Sequence, residues 1–476
     1  MQSLSEIRTA LREETLTLPV LAERYLQQIE ATRHLNCYVE VYEQEVRVRA
    51  AALQEKFQRD PATVGKLFGM VVSVKDVLSQ RDHRLSAGSR MLEGFEAVFT
   101  ATALERLLAE DALIIGRTNC DEFAMGSTNE TSWFGPVRNA ADPERIPGGS
   151  SGGAAVSVQA GTCLAAIGSD TGGSVRQPAA FCGLIGLKPT YGRISRHGLI
   201  AYASSFDQIG IISKNIPDAA VLLEVMSGAD PHDATCSVLP APAADPLPAI
   251  AGRLRFAVFR AALEHPGLDP HIRALTEQRL DQIKVAGHAV ELIDFPYLDY
   301  LIPAYYVLTT AEASSNLSRY DGVRYGYRSR EAQTVEEVYR LSRTEGFGRE
   351  VKRRILLGAF VLSAGYYDAY YVRAQKIRRL IRDEFGRLLN DYDQVLLPAS
   401  PTPPWRIGEL ADDPVAMYLS DIYTVPANLA GLPAVSIPVG RHEPTQLPVG
   451  LQLLDRPFEE ALLLSSARNL LQLFTL

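Results

Sequence analysis

Cysteine is scarce: Cys37, Cys120, Cys163, Cys182 and Cys236 are five in 476 residues, and they form no Cys-x-x-Cys pair. An odd, scattered set argues against a disulfide framework and a zinc site, and for a reducing compartment with buried structural thiols. No apolar run approaches the roughly 20 residues that span a bilayer, so no membrane segment is expected. The N-terminus, MQSLSEIRTALREE, lacks a basic stretch followed by an apolar one. We therefore expect no secretory signal and a cytoplasmic location. Basic residues are a minority, with 48 Lys+Arg against 56 Asp+Glu and a formal net charge of −8. Such a chain is not expected to hold nucleic acid alone. Histidine is sparse too, at positions 34, 83, 197, 232, 265, 271, 288 and 442, with none in a strong catalytic loop signature. His197, in SRHGL, is the closest candidate for a base, but a surface or packing role is the better account of it.

What is present is 46% apolar and 22% charged residues, enough for a sizeable core. Residues 1–60 read as helical, with Leu4, Ile7 and Leu11 at helical spacing. Residues 65–78 read as a buried strand ending at Lys75-Asp76, and 100–116 as a helix followed by a strand over 112–116. A helix over 152–160 precedes a strand over 162–170. After a proline-rich surface connector, 238–250, a strand (254–259) and a helix (267–286) resume the alternation. Residues 346–390 read as strongly helical and arginine-rich, and 393–404 as a strand running into a proline-rich turn. A strand (449–455) and a helix (458–473) close the chain. The order predicts an α/β fold, and the connector does not force a split, so one domain over 1–476 is expected.

The chemistry-bearing signals are two glycine-serine loops. RIPGGSSGGAAV (145–156) leads into an alanine-rich helix, and GSDTGGSVRQPAAF (168–181) leaves a predicted strand. Together they present Ser150 and Ser151, then Ser174. Successive N–H groups at Thr171, Gly172, Gly173 and Ser174 are placed to form an oxyanion hole beside Ser174. A serine nucleophile needs a base, and a desolvated lysine can serve as a neutral amine. Lys75, at the end of an apolar strand, suits that role; the alternative for it is an ion pair with Asp76 or another carboxylate at the strand end. GGSSGG lacks the GK[ST] ending of a phosphate loop. Gly149–Gly153 also satisfies G-x-S-x-G, which would make Ser151 the nucleophile of an α/β-hydrolase elbow. Plain structural loops are the third reading.

Lys75 in SVKD, RIPGGSSGG and GSDTGGSVRQPAAFCGLIGLKPTYGRIS together resemble the amidase signature family. DEFAMGSTNETSWFGPVRNAAD, KPTYGRISRHGLIAYASSFDQIG, RYDGVRYGYRS, EGFGREVKRRILLGAFVLSAGYYDAYY and MYLSDIYTVPANLAGLPAVSIPVG narrow the resemblance to the A-subunit family of aspartyl/glutamyl-tRNA amidotransferases. The likeness runs from about residue 20 to the C-terminus. It implies a mixed β-sheet covered by helices on both sides. It also implies a Ser–Ser–Lys triad: Ser174 as nucleophile, Ser150 as bridge with a cis peptide bond to Gly149, and Lys75 as neutral base. Ser151 is then a loop residue.

The resemblance further implies that glutamine is held by Arg354 (KRRI), Asp421 (YLSD) and Tyr305 (PAYY), with Tyr306 as the adjacent alternative. An arginine grips the α-carboxylate and an aspartate pairs with the α-ammonium. Read from the residues alone, Arg353 and Arg354 suit a solvated helix face and Asp421 a helix cap. Tyr366, Tyr367, Tyr370 and Tyr371, at helical spacing, suit packing or an interface. The implied activity is glutamine amide hydrolysis supplying ammonia to two partners, the B and C subunits. These, with ATP and a divalent metal, act on misacylated tRNA; this chain itself needs no cofactor or metal. A free-standing amidase shares the triad and is the alternative, and a non-catalytic scaffold is a third reading. Two details depart from the family pattern: SVKDVLSQRDHR after the lysine, and Trp133 where a smaller residue is common.

Overall fold

The computed structural model describes residues 2–250 and 252–474. Met1, Ala251, Thr475 and Leu476, which the single-domain expectation also spans, lie outside the described residues. Among those described, eleven strands form one sheet. They are β1 (Tyr38–Val41), β2 (Val71–Lys75), β3 (Leu113–Thr118), β4 (Ala165–Asp170), β5 (Ile185–Lys188), β6 (Gln208–Ser213), β7 (Arg255–Phe259), β8 (Ala289–Ile293), β9 (Gln394–Pro398), β10 (Ala434–Arg441) and β11 (Pro448–Leu454). The order across the sheet is β1-β3-β2-β4-β6-β5-β10-β11-β9-β7-β8. The pairing is mixed: β3-β2-β4 and β9-β7-β8 run parallel, and the remaining neighbours antiparallel.

Every residue of β2, β3, β4, β5 and β6 is buried. Side chains alternate between faces, so burial at every position requires cover on both. The covering helices include Thr102–Ala109, Gly152–Gln159, Ile216–Met226, Pro270–Val285, Leu298–Asn316, Arg349–Val361, Arg373–Asp391 and Glu460–Phe474. The Gly152–Gln159 helix is alanine-rich and buried from Gly152 to Val158, which lets it lie against β4 and β2.

Two expectations change. Residues 1–60 are not all helix: the helices Leu4–Arg12, Leu18–Ala31 and Glu43–Arg59 enclose β1, an edge strand against β3. The YVEV alternation of β1 spans only four residues, too few to outweigh its helical flanks. The 346–390 helix is broken: Arg349–Val361 ends before a turn, a π-helical stretch covers Tyr367–Val372, and Arg373–Asp391 follows. The break falls at Ser363-Ala364-Gly365, where glycine weakens a helix. The connector over 238–250 is irregular and largely exposed, with Leu247 buried as an anchor. It carries the chain from β6, mid-sheet, to β7 near the far edge of the same sheet.

Candidate active site

β2 and β4 are parallel neighbours, and β3 is the parallel neighbour of β2 on its other side. Their C-terminal ends therefore meet at one edge, where Lys75 ends β2, Asn119–Asp121 follow β3, and the 171–174 loop follows β4. Open α/β sheets bind ligands at such an edge. The helix N-terminus preceded by Ser150 and Ser151 is brought there too. The Ser151 N–H donates to Ser174 O (3.1 Å), binding the two serine loops to each other.

Lys75 is fully buried. Its Nζ contacts three hydroxyls: Ser150 Oγ (2.7 Å), Ser169 Oγ (2.9 Å) and Ser151 Oγ (3.0 Å). Burial lowers its pKa to about 8, although Cys120, Asp121, Asp170 and Asp207 pull the other way. The ion pair with Asp76 does not form. Successive strand residues point to opposite faces, and Asp76 instead accepts Ser86 N–H (3.1 Å) and Gly88 N–H (3.1 Å), 3.6 Å from Arg117 Nε. The Gly149–Ser150 peptide is cis. A Cβ on Gly149 would collide with the Asp121 carboxylate.

Ser174 is 8% exposed, and its hydroxyl makes no hydrogen bond among the described residues. The Lys75–Ser150 contact is thus closed, and the Ser150–Ser174 contact is open. Gly173 has φ +133°, and a Cβ there would strike Thr424 Oγ1; a Cβ on Gly172 would strike the Tyr305 phenol. Both positions therefore require glycine. Of the four N–H groups expected to line the oxyanion hole, that of Gly173 already donates to Asp170 Oδ1 (2.9 Å). The free donors are Thr171, Gly172 and Ser174. Asp170 is itself fixed by Arg176, through Nε to Oδ2 (3.1 Å) and Nη2 to Oδ1 (3.1 Å). Burial alone would raise this carboxyl, but the Arg176 charge and hydrogen bonds bring it down to about 2.

Arg354 and Asp421 are both buried. Arg354 Nε donates to Glu350 Oε1 (2.8 Å) and Nη1 to the Tyr202 phenol (2.8 Å). The solvated-face reading fits Arg353, which is partly exposed and paired with Glu350, but not Arg354. Asp421 Oδ2 accepts from Ser127 Oγ (2.7 Å) and from the Tyr306 phenol (3.2 Å). Burial pushes the Asp421 carboxyl up to about 7. Tyr306 also lies with its ring 5.3 Å from the Arg354 guanidinium. Of the two candidate tyrosines it therefore contacts both charged groups. Tyr305 packs edge-on against Phe206 (5.8 Å), with its phenol at Gly172. Thr424 Oγ1 donates to Gly172 O (2.6 Å) and its N–H to Asp421 O (3.0 Å), tying Asp421 to the oxyanion loop.

The sequence alone does not single out Ser127, Ser169, Tyr202, Glu350 or Thr424. Ser169 sits inside the quoted GSDTGGS stretch, one strand residue before Asp170, and is open to detection there. Glu350, one helical turn before Arg354, and Thr424, three residues after Asp421, are local to residues already singled out, whereas Ser127 and Tyr202 are brought in by tertiary packing. His197 makes no contact with Lys75, Ser150 or Ser174 among the described residues; it is stacked between Phe99 (4.9 Å) and His232 (4.6 Å). With Asp230 these histidines form the one metal-type cluster found among the described residues. The His197 and His232 rings are stacked within 20° of parallel, so their in-plane lone pairs do not converge on one ion. Both Asp230 oxygens already accept hydrogen bonds, from Ser195 and Thr102 at one and from His232 at the other. Trp133 is half exposed, with the Arg90 guanidinium 5.3 Å from its ring. Tyr366, Tyr367 and Tyr370 are exposed rather than packed into the core.

Glycine-lined serine loops gathered around a buried lysine, with no histidine among its contacts in the described residues, are the arrangement of an amide-hydrolase class. The amidase family profile matches residues 20–464, and this chain belongs to that family. Along nearly its whole length it is similar to the A subunit of glutamyl-tRNA(Gln) amidotransferase from Chlorobium luteolum. The identity is 49% over 470 residues, covering 98% of this chain and 96% of the relative. The A subunit of the Koribacter versatilis glutamyl-tRNA(Gln) amidotransferase is 47% identical over 467 residues, covering 98% and 97%. The crystal structure of the corresponding A subunit from Thermotoga maritima matches with a TM-score of 0.78 at 38% identity, over 98% of this chain and 93% of that one.

Proposed function

We propose that this chain is a single-domain, cytoplasmic glutaminase subunit of a tRNA-dependent amidotransferase. The observation that carries the reading is the Arg354–Tyr306–Asp421 arrangement beside the Ser174 loop. It offers a cation for an α-carboxylate and an anion for an α-ammonium, with an acylatable serine alongside. A general small-amide hydrolase has no chemical need for that charged pair.

In this reading the neutral Lys75 amine draws a proton through Ser150 as Ser174 Oγ attacks the side-chain amide carbon of glutamine. The tetrahedral oxyanion rests on the N–H groups of Thr171, Gly172 and Ser174. Lys75, again through Ser150, returns the proton to the leaving nitrogen, and ammonia departs. Water then attacks the Ser174 ester, giving glutamate and the free serine. The ammonia passes to the partner B and C subunits. There ATP and a divalent metal serve to activate the glutamyl group of Glu-tRNA(Gln), the aspartyl group of Asp-tRNA(Asn), or both. None of these steps asks a cofactor of this chain. The near-full-length likeness to A-subunit proteins supports the assignment.

The test is ammonia release from glutamine by wild type and Ser174→Ala, alone and then with the two partner subunits, ATP and misacylated tRNA. Release by wild type only, accelerated by partners and tRNA, is the expected result. A lone chain that is fully active, indifferent to partners and faster on other amides is a free-standing amidase instead.

A further inference from the structure

Asp207 has no place in the proton path just described, yet its carboxylate touches both halves of the site. The antiparallel register of β4 and β6 sets Asp170 opposite Gln208. The residue before β6 therefore falls beside the first residue after β4. Asp207 Oδ1 accepts the hydroxyl of Thr171 (2.7 Å). Its Oδ2 accepts the N–H groups of Tyr202 (2.9 Å) and Ala203 (3.1 Å). The Tyr202 phenol in turn accepts Arg354 Nη1 (2.8 Å). The intervening turn is short: the Phe206 and Asp207 N–H groups both return to Ala203 O, at 2.9 Å each. Asp207 itself is 3% exposed. A carboxylate needed only for this turn would satisfy the Tyr202 and Ala203 N–H groups and have no call on Thr171. The third bond reaches across to the oxyanion loop.

We infer that Asp207 is a positioning residue for amide hydrolysis, aiming the Thr171 N–H at the oxyanion while seating the Tyr202–Arg354 pair for the substrate carboxylate. This rests on the glutaminase reading above. The two halves then share one anchor, so a displacement of Asp207 perturbs rate and affinity together.

The experiment measures steady-state ammonia release from glutamine, and thermal midpoints, for the full chain assembled with its partner subunits. Wild type is compared with Asp207→Asn, Thr171→Val, Tyr202→Phe and a Ser174→Ala blank. The introduced amide nitrogen donates and cannot accept, so Asp207→Asn breaks one of the two linkages and strains the other. It is expected to lower kcat roughly 10- to 100-fold and raise KM roughly tenfold. Thr171→Val is expected to lower kcat with KM held within about twofold, and Tyr202→Phe to raise KM with kcat held. If Asp207→Asn lowers only the melting temperature, with kcat and KM per folded enzyme those of wild type, the positioning role is overturned. If Asp207→Asn does not fold, the single-contact variants decide: an unchanged kcat in Thr171→Val or an unchanged KM in Tyr202→Phe overturns it. A wild-type complex no faster than Ser174→Ala overturns the glutaminase reading, and this role with it.

Discussion

At the scale of single residues, the proposed chemistry turns on Lys75. An ammonium cannot accept a proton, and burial brings this one to about 8 from an ordinary 10.5. The neutral fraction therefore grows with pH below that value and saturates above it. For glutamine, kcat/KM is expected to rise about tenfold per pH unit up to about pH 8 and then level off. A flat profile across that range removes Lys75 as the base. Lys75→Ala and Lys75→Arg are both expected to lower kcat by roughly 10³-fold or more, because an arginine stays charged and cannot substitute. Ser151 shares Nζ with two other hydroxyls, so Ser151→Ala is expected to lower kcat only roughly tenfold, a loss in the range of one hydrogen bond. Complete loss in that variant, with Ser174→Ala retaining activity, is the signature of the nucleophile-elbow alternative. Asp421 adds a second pH dependence. Its carboxyl sits near 7 without substrate, and only the ionised form pairs with an α-ammonium. KM for glutamine is accordingly expected to rise as pH falls below about 7.

At the scale of elements, the site is a consequence of where strands end. Lys75 and the 171–174 loop were legible in the sequence because each follows a short apolar run and sits among turn residues. Their adjacency needs the parallel pairing of β2 with β4, which no local pattern encodes. The same limit hides Asp207, whose approach to Thr171 follows from the β4–β6 register. It also hides the inward side of the Arg349–Val361 helix, where Arg354 is buried and Arg353 partly exposed. Periodicity gives the helix but not what packs on it. Glycine was the readable sign of crowding. Gly173→Ala combines a positive φ with a collision at Thr424. The expected loss is about 1–3 kcal/mol of stability, read as a lower denaturation midpoint. A fall in kcat and a rise in KM should accompany it, since the displaced Thr424 is bonded both to the 171–174 loop and to Asp421. A variant with wild-type stability and turnover contradicts the crowding.

At the scale of the whole molecule, the proposed function asks which subunit would hold a tRNA. The chain carries a net charge of −8, and its most arginine-rich region is only partly paired: Arg373, Lys376 and Arg382 are exposed and have no ion pair among the described residues. In the Arg373–Asp391 helix, Arg379 pairs with Asp383 and Arg387 with Glu384. Arg378 points inward, donating to Ser205 and to Leu429 O. Just upstream, Arg349, Arg353 and Arg354 are paired with Asp412 or Glu350. Nucleic-acid affinity comes largely from cations that displace condensed counterions, and each such contact steepens the salt dependence. The lone chain is therefore expected to show no saturable tRNA binding at micromolar concentration and physiological salt, measured by fluorescence anisotropy. The assembled complex is expected to bind, with log affinity falling linearly in log salt. Charge-removing substitutions at the paired Arg379 and Arg387 should leave that slope unchanged. A lone chain that binds tRNA with a slope of several units would place phosphate contacts on this chain. The division of labour, ammonia made here and tRNA held by the partner, would then be wrong, while the amide chemistry at Ser174 would stand.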